Sequence, residues 1–247
     1  MILKILILFF FLTSLCSASP FSIAEKSYNL KLGAGLRVKS NIRKNDTSLF
    51  KQNDPSIAPF PFIRFKLSHF ELEPDRAKII FSRSLLWDMD IRVHYRGHEY
   101  NTFDMAHRHK TMFGGVALRF LLFKFKLLKD LQNKSDAEIM IVSMIIPAPI
   151  GKDTTILLQA DIEYWDSDYI NYYFGVRDSE AKAGREAYNG KKDKSYRFQS
   201  TFITRFSSNW MTRINLAYRK YGDQVANSPT VKRANEIDFL TGIVYEF

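Results

Sequence analysis

The feature that most constrains this chain is a set of long runs in which apolar and polar side chains alternate. In LWDMDIRVHYRG (86–97), Trp87, Met89, Ile91, Val93 and Tyr95 alternate with Asp88, Asp90, Arg92, His94 and Arg96. A period of two puts the two sets on opposite faces of a β-strand. The pattern returns in TILLQADIEYW (155–165), SYRFQSTFITRF (195–206), WMTRINLAYRKY (210–221) and IDFLTGIVYEF (237–247). Soluble strands usually stop at about 5–6 residues, whereas a tilted strand that crosses a bilayer needs about 9–11. Two architectures remain. In a soluble sheet the charged face meets water; in a closed barrel in lipid it lines the interior.

The start of the chain favours the second. MILKILILFFFLTSLCSA carries an early cation, Lys4, an apolar run from Ile5 to Leu12, and small residues before a cleavage point after Ala18. This is the pattern of a secretory signal peptide, and residues 19–247 are then expected to form one domain. Removing the signal leaves 229 residues without cysteine, because Cys16 is the only one. The exported chain therefore gains no disulfide stabilisation. Its charge falls from +10 to +9 with the loss of Lys4. A basic exported protein suits anionic lipid and lipopolysaccharide phosphates; export and the absence of a binding motif argue against nucleic acid. No later segment is an apolar run of about 18 residues, but a barrel escapes that test because only alternate residues face lipid.

Working back from a periplasmic C-terminus, we expect an all-β, antiparallel transmembrane β-barrel of about 12 strands, with 10 as the alternative and both termini periplasmic. The strands fall near 28–37, 59–67, 68–73, 77–82, 86–97, 113–127, 136–147, 155–165, 168–174, 195–206, 210–221 and 237–247. A phase slip near residue 121 reads as a β-bulge within one strand. Thirty-six residues are Phe, Tyr or Trp, in keeping with aromatic girdles at the two membrane interfaces. The final alternation Ile243, Tyr245, Phe247 is similar to the C-terminal signal read by the barrel assembly machinery.

Candidate chemistry is sparse. Asp88 with Asp90, and Asp161 with Glu163, share strand faces. Such carboxylate pairs could serve acid–base catalysis, but a lumen of mutually neutralised charges is preferred, with Arg92, Arg96, Arg197, Arg205, Arg213 and Arg219 as partners. His94, His98, His107 and His109 read as a solvated loop region rather than a metal site. Ser143 and Ser200 lie on strands without a nucleophile motif, so an outer-membrane phospholipase or protease is the least favoured reading. No cofactor is implied. The cations of GREAYNGKKDKSYR (184–197) could meet lipopolysaccharide phosphates, although a solvated loop is the simpler account.

The last ninety residues resemble the MipA/OmpV family of outer-membrane proteins. YYFGVRDSEAKAGREAY (172–188) is similar to the family's Tyr-Phe-Gly-Val exit and Ala- and Gly-containing loop, through Tyr173, Phe174, Gly175 and Gly184. YGDQVANSPTVKR (221–233) resembles its Gly-Asp…Ser-Pro loop, through Gly222, Asp223, Ser228 and Pro229. Weaker similarity reaches PFPFIRF (59–65) and LGAGL (32–36). One segment departs: RVKSNIRKND (37–46) stands where the family tends to carry Pro-x-Tyr-x-Gly. The resemblance implies a non-enzymatic scaffold that joins a lytic transglycosylase to a peptidoglycan synthase, with a periplasmic turn such as KDLQNKS (129–135) as the contact. A porin-like diffusion channel or an adhesin is the alternative. The barrel reading makes a direct prediction. Detergent-extracted protein should migrate faster unheated than boiled and give β-rich circular dichroism; a water-soluble, heat-insensitive mature chain would exclude it.

Overall fold

In a computed structural model the described residues are 28–48, 51, 53–84 and 86–247; the expected signal peptide lies outside them. Twelve strands run in chain order: β1 (Tyr28–Lys39), β2 (Ser56–Leu67), β3 (Phe70–Glu73), β4 (Arg76–Arg83), β5 (Trp87–Arg96), β6 (Thr111–Phe120), β7 (Phe123–Asp130), β8 (Glu138–Ile150), β9 (Thr154–Trp165), β10 (Asp193–Arg205), β11 (Trp210–Tyr221) and β12 (Asn235–Glu246). Each pairs antiparallel with its neighbours, and β12 returns to β1 to close the barrel. An even strand number brings both ends of the barrel to one rim, where the Phe247 amide donates to the Leu30 carbonyl at 2.9 Å. That rim carries the short turns, and the opposite rim carries the long loops 40–55, 97–110, 166–192 and 222–234. In outer-membrane barrels short turns face the periplasm and long loops the outside.

The alternating runs become strands whose apolar face points outward. On β5, Asp90, Arg92 and His94 are buried, while Ile91 and Tyr95 are about half exposed. The same inversion leaves Leu158, Phe198, Leu216, Ile237 and Ile243 on the outer surface. Near the periplasmic side the lumen is partly filled by Phe62, Met211 and Val244, with Phe60, Ile203 and Leu240 against them. Cross-paired Gly35 and Gly242 make room for Phe62. A Cβ at Gly35 would stand 2.7 Å from Cε2 of that ring. This is the physical use of a glycine in LGAGL.

Two expectations fail, and their effects on the strand count cancel. Residues 113–127 are not one bulged strand but most of the β6–β7 hairpin, which turns at Leu121 (φ 53°) and Leu122. The turn is apolar, so no polar residue marks it. β8 extends past it, pairing Met144 with Phe123 and continuing to Ile150. Residues 168–174 are not a strand but helix α1 (Ser167–Phe174). Asp166 caps it, accepting from the Tyr169 amide at 2.9 Å, and Tyr169, Ile170, Tyr173 and Phe174 form one buried face at helical spacing. Gly175 closes it, its amide donating to the Ile170 and Asn171 carbonyls. Together these changes reverse the direction of the expected strands at 136–147 and 155–165. They also move KDLQNKS (129–135) to the rim of long loops, so it is not a periplasmic turn.

Asp166 also accepts from the Glu138 amide at 2.8 Å. Asp166→Ala should cost about 1–2 kcal/mol of local stability through the lost cap, and Asp166→Asn much less. Trypsin cleavage after Arg177, Lys182 or Arg185 in the folded, detergent-held barrel reads the difference; equal rates in both variants would remove the cap as the cause.

Candidate functional site

The outer mouth of the barrel is packed shut. Phe113 of β6, Leu128 of β7, Ile139 and Ile141 of β8, Trp165 of β9 and Tyr221 of β11 point inward to one apolar cluster. Helix α1 lays Tyr169, Ile170, Tyr173 and Phe174 across it, and Ile42, Val225 and Val231 arrive from the loops. Trp165 and Tyr169 stack at 5.0 Å. The His98 ring sits among Trp165, Tyr169, Tyr173, Phe174 and Tyr221 at 5.0–6.2 Å. The expectation that His98 belongs to a solvated loop is therefore wrong. Burial, with Arg219 and Arg43 nearby, pushes its pKa well below the ordinary histidine value. His107 and His109 do stack on each other at the rim, 3.8 Å apart.

Arg43 pins the lid. It lies in the segment that departs from the family pattern and is 3% exposed. Its guanidinium rests 4.1 Å over Phe174 and 4.8 Å from Tyr100. It donates to the Tyr173 carbonyl at 2.6 Å and to Thr230 Oγ1 at 2.7 Å. Burial lowers its pKa to about 10, partly offset by Tyr100 and Asp46, so it stays charged at neutral pH. Backbone hydrogen bonds tie the same loop to two others. Lys44 donates to Thr230, Lys232 to Ile42, and Thr47 to Asn101.

The signature residues meet here. Tyr173 and Phe174 are core residues of the lid, and Gly175 ends α1. Gly184 takes φ +76° in the turn bridged by Lys182 and Arg185. Gly222 and Asp223 open a one-turn helix α2 (Asp223–Ala226), where a Cβ on Gly222 would collide with the Asp193 carboxylate. Ser228, 2% exposed, donates to the Phe174 carbonyl at 2.6 Å, and Pro229 follows in the turn. One hydroxyl thus joins the two motifs.

Below the lid lies a charged band. Glu163 is held between Arg96 at 2.6 Å and Arg219 at 3.0 Å. Asp161 lies 3.8 Å from Arg197 and accepts from Gln159. Asp90 receives Arg92 and, at 3.1 Å, Lys124. Asp88 pairs with Arg119 at 2.5 Å. Arg205 reaches Glu246 near the periplasmic rim. Arg213 has a buried Nε without a hydrogen-bond partner among the described residues. Glu71, Glu236, Asp238 and Glu246 are further acids of this band, each ion-paired across strands. The inward parity of their strands was the signal that could have named them. Ser143 lies in register with Lys124 and Asp161, and Ser200 with the outward-facing Leu158 and Leu216. Neither has a histidine as its cross-strand partner. Ile243, Tyr245 and Phe247 face outward at the last strand's end, with Tyr245 between the Trp210 and Phe247 rings at 4.9 and 4.7 Å.

The chain is similar to known outer-membrane proteins. Outer membrane protein OmpV of Vibrio cholerae is 39% identical over 88 residues, covering 36% of this chain and 34% of that protein. The chain thus spans about a third of that relative's length in the match. The YiaT protein of Escherichia coli K12 is 20% identical over 243 residues, covering 93% of this chain and 96% of that one. Among solved structures, the NanC porin aligns over 89% of this chain and 99% of its own, at 11% identity and a TM-score of 0.40. The profile of the family described as MltA-interacting protein MipA matches residues 32–247. The chain belongs to that family and is an outer-membrane β-barrel protein.

Proposed function

We propose that this chain is a non-enzymatic, non-conducting anchor in the outer membrane that holds a lytic transglycosylase and a peptidoglycan synthase at its periplasmic face. The observation that carries the reading is the lid. A 12-stranded barrel is near the size at which side chains either fill the lumen or leave a path. Here an apolar cluster with Phe113, Tyr169, Ile170, Phe174 and Val225 at 0% exposure occupies the outer mouth. A solute path along the axis would have to displace a packed core rather than a flexible loop. The family's description as MltA-interacting supports the choice of partner. With the 129–135 turn on the outer rim, the contact surface falls to the short connections between β2 and β3, β4 and β5, β6 and β7, β8 and β9, and β10 and β11, and to the C-terminal end. Insertion and folding would rest on lipid, lipopolysaccharide and the assembly machinery, the last reading the Ile243, Tyr245, Phe247 pattern before β12 closes on β1.

Two measurements test this together. In planar bilayers the wild-type barrel should give no steady single-channel conductance, and removing residues 40–55 should create one. The folded protein immobilised in detergent should retain a lytic transglycosylase or a peptidoglycan synthase from a periplasmic extract. Stable conductance by the wild type together with no retention of either enzyme would favour the diffusion channel and overturn the anchor.

A further inference from the structure

The barrel wall is incomplete on one side. β2 pairs with β1 along its whole length, from Ser56 to Leu67. On its other flank it pairs with β3 at Phe65, Lys66 and Leu67 alone. β3 has 4 residues and β4 has 8, against 12 in β2 and 10 in β5. The β3–β4 turn at Pro74 and Asp75 stops beside Tyr95, whose amide donates to the Asp75 carbonyl at 2.8 Å. Residues 56–64, about 30 Å of strand at ~3.3 Å per residue, therefore have one free flank among the described residues. The sequence is suited to this. Pro59 and Pro61 lack an N–H and are tolerated where a strand edge is unpaired. Pro147 and Pro149, the other strand prolines, lie on β8 beyond its last pair with β7.

An unpaired edge cannot face hydrocarbon, because each bare N–H and C=O must find a partner; irregular backbone is tolerated at that depth where it borders a wet cavity. Behind this edge the lumen is mixed: Phe60 and Phe62 of β2 belong to the apolar cluster, and cations lie above and below them. Arg37, Arg64 and Arg76 point inward, yet their side chains are 38%, 45% and 42% exposed, whereas Arg92 is 5% and Arg219 13%. Each is paired with an acid, Asp238, Glu71 and Glu73 respectively. A guanidinium has five N–H donors, so donors are left over. Among the described residues the buried Nε of Arg213 has no hydrogen-bond partner, and Glu73, Arg76 and Arg64 are its charged neighbours. Outside the opening the wall is aliphatic, through Leu36, Ile57, Ile63 and Leu72.

We propose that the gap between β2 and the β3–β4 hairpin is a lateral window that binds a lipid with a phosphate head group, the phosphate on Arg64, Arg76 and Arg213 and the acyl chain in the membrane along β2. Phosphate accepts from several guanidinium donors at once, which the spare N–H groups supply without breaking the existing ion pairs. The lid leaves this opening as a lateral route between the lumen and the bilayer. The site is independent of the anchor role, and its test does not use a cell-wall enzyme.

The probe is lysophosphatidic acid with a photoreactive acyl chain, added to the full-length barrel in neutral detergent; a monoacylglycerol of the same chain is the control. Labelling should concentrate on residues 57–63 and 72–79, and the phosphate lipid should label at least fivefold more than the control. Arg213→Gln, which breaks no ion pair, should reduce labelling severalfold with heat-modifiable migration unchanged. Arg64→Gln should act in the same direction, and Arg64→Lys should restore part of it. Label spread evenly around the wall, or equal labelling by the two lipids, would overturn the proposal. So would a crosslinked dimer through β2, which would mean that a second copy of the strand covers the edge.

Discussion

Hydrocarbon supplies no hydrogen bonds to the backbone, and the rest of this structure follows from that. Strands that must pair on both flanks close into a barrel, and closure decides which face of each strand is inside. The apolar residues of 86–97, 155–165 and 237–247 then have to point out, and every charge alternating with them is forced into a narrow interior. A buried charge is tolerable when paired and strongly destabilising when its partner is removed. The interior meets this by sharing carboxylates. Glu163 serves Arg96 and Arg219, Asp90 serves Arg92 and Lys124, and Glu71 serves Arg64 and Lys78. Sharing is economical in acids and leaves the lumen with more cations than anions, which matches the basic character of the whole chain.

The barrel was legible because alternation is a local signal and a long one. The strand near 195–206, those at 210–221 and 237–247, and the one opened by Trp87 lie where their polarity pattern puts them. The pattern failed where it was no longer local. At Leu121-Leu122 the chain reverses with apolar residues, so the turn leaves the same phase slip that a bulge would. In SDYINYYF, three tyrosines and a phenylalanine suggest a strand by composition. The decisive signs were Asp166 in a capping position and Tyr169, Ile170, Tyr173 and Phe174 at spacings of one and four. Those signs were present in the sequence and were outweighed by the aromatic content.

The lid was legible only as a resemblance. Nothing in the spacing of YYFG or GDQVANSP says that a serine in one will bond a carbonyl in the other. Ser228 and Phe174 are 54 residues apart and meet because β10 and β11 lie between them as one hairpin. Arg43 was further out of reach. A cation in a loop reads as solvated, and its burial over Phe174 depends on three separate loops arriving at one place. That it comes from the segment that departs from the family pattern suggests a physical role for the departure. A guanidinium with its planar face on a ring and its edge on two oxygens fastens this lid.

Lid and window are two answers to the same constraint. Above the bilayer, water returns and a hydrophobic cluster gains stability from burial as in any soluble domain, so the outer end can be built as a capped helix on an apolar core. Within the bilayer that gain is absent, because the surroundings are as apolar as the side chains. What remains is the demand that backbone groups be paired or wet. β3 and β4 are too short to meet it by pairing along β2, and the half-exposed guanidiniums of Arg64 and Arg76 mark the open side of the interior there. The outer end is closed by its apolar core, and beside the shortest strands the interior cations stay within reach of the membrane from the side.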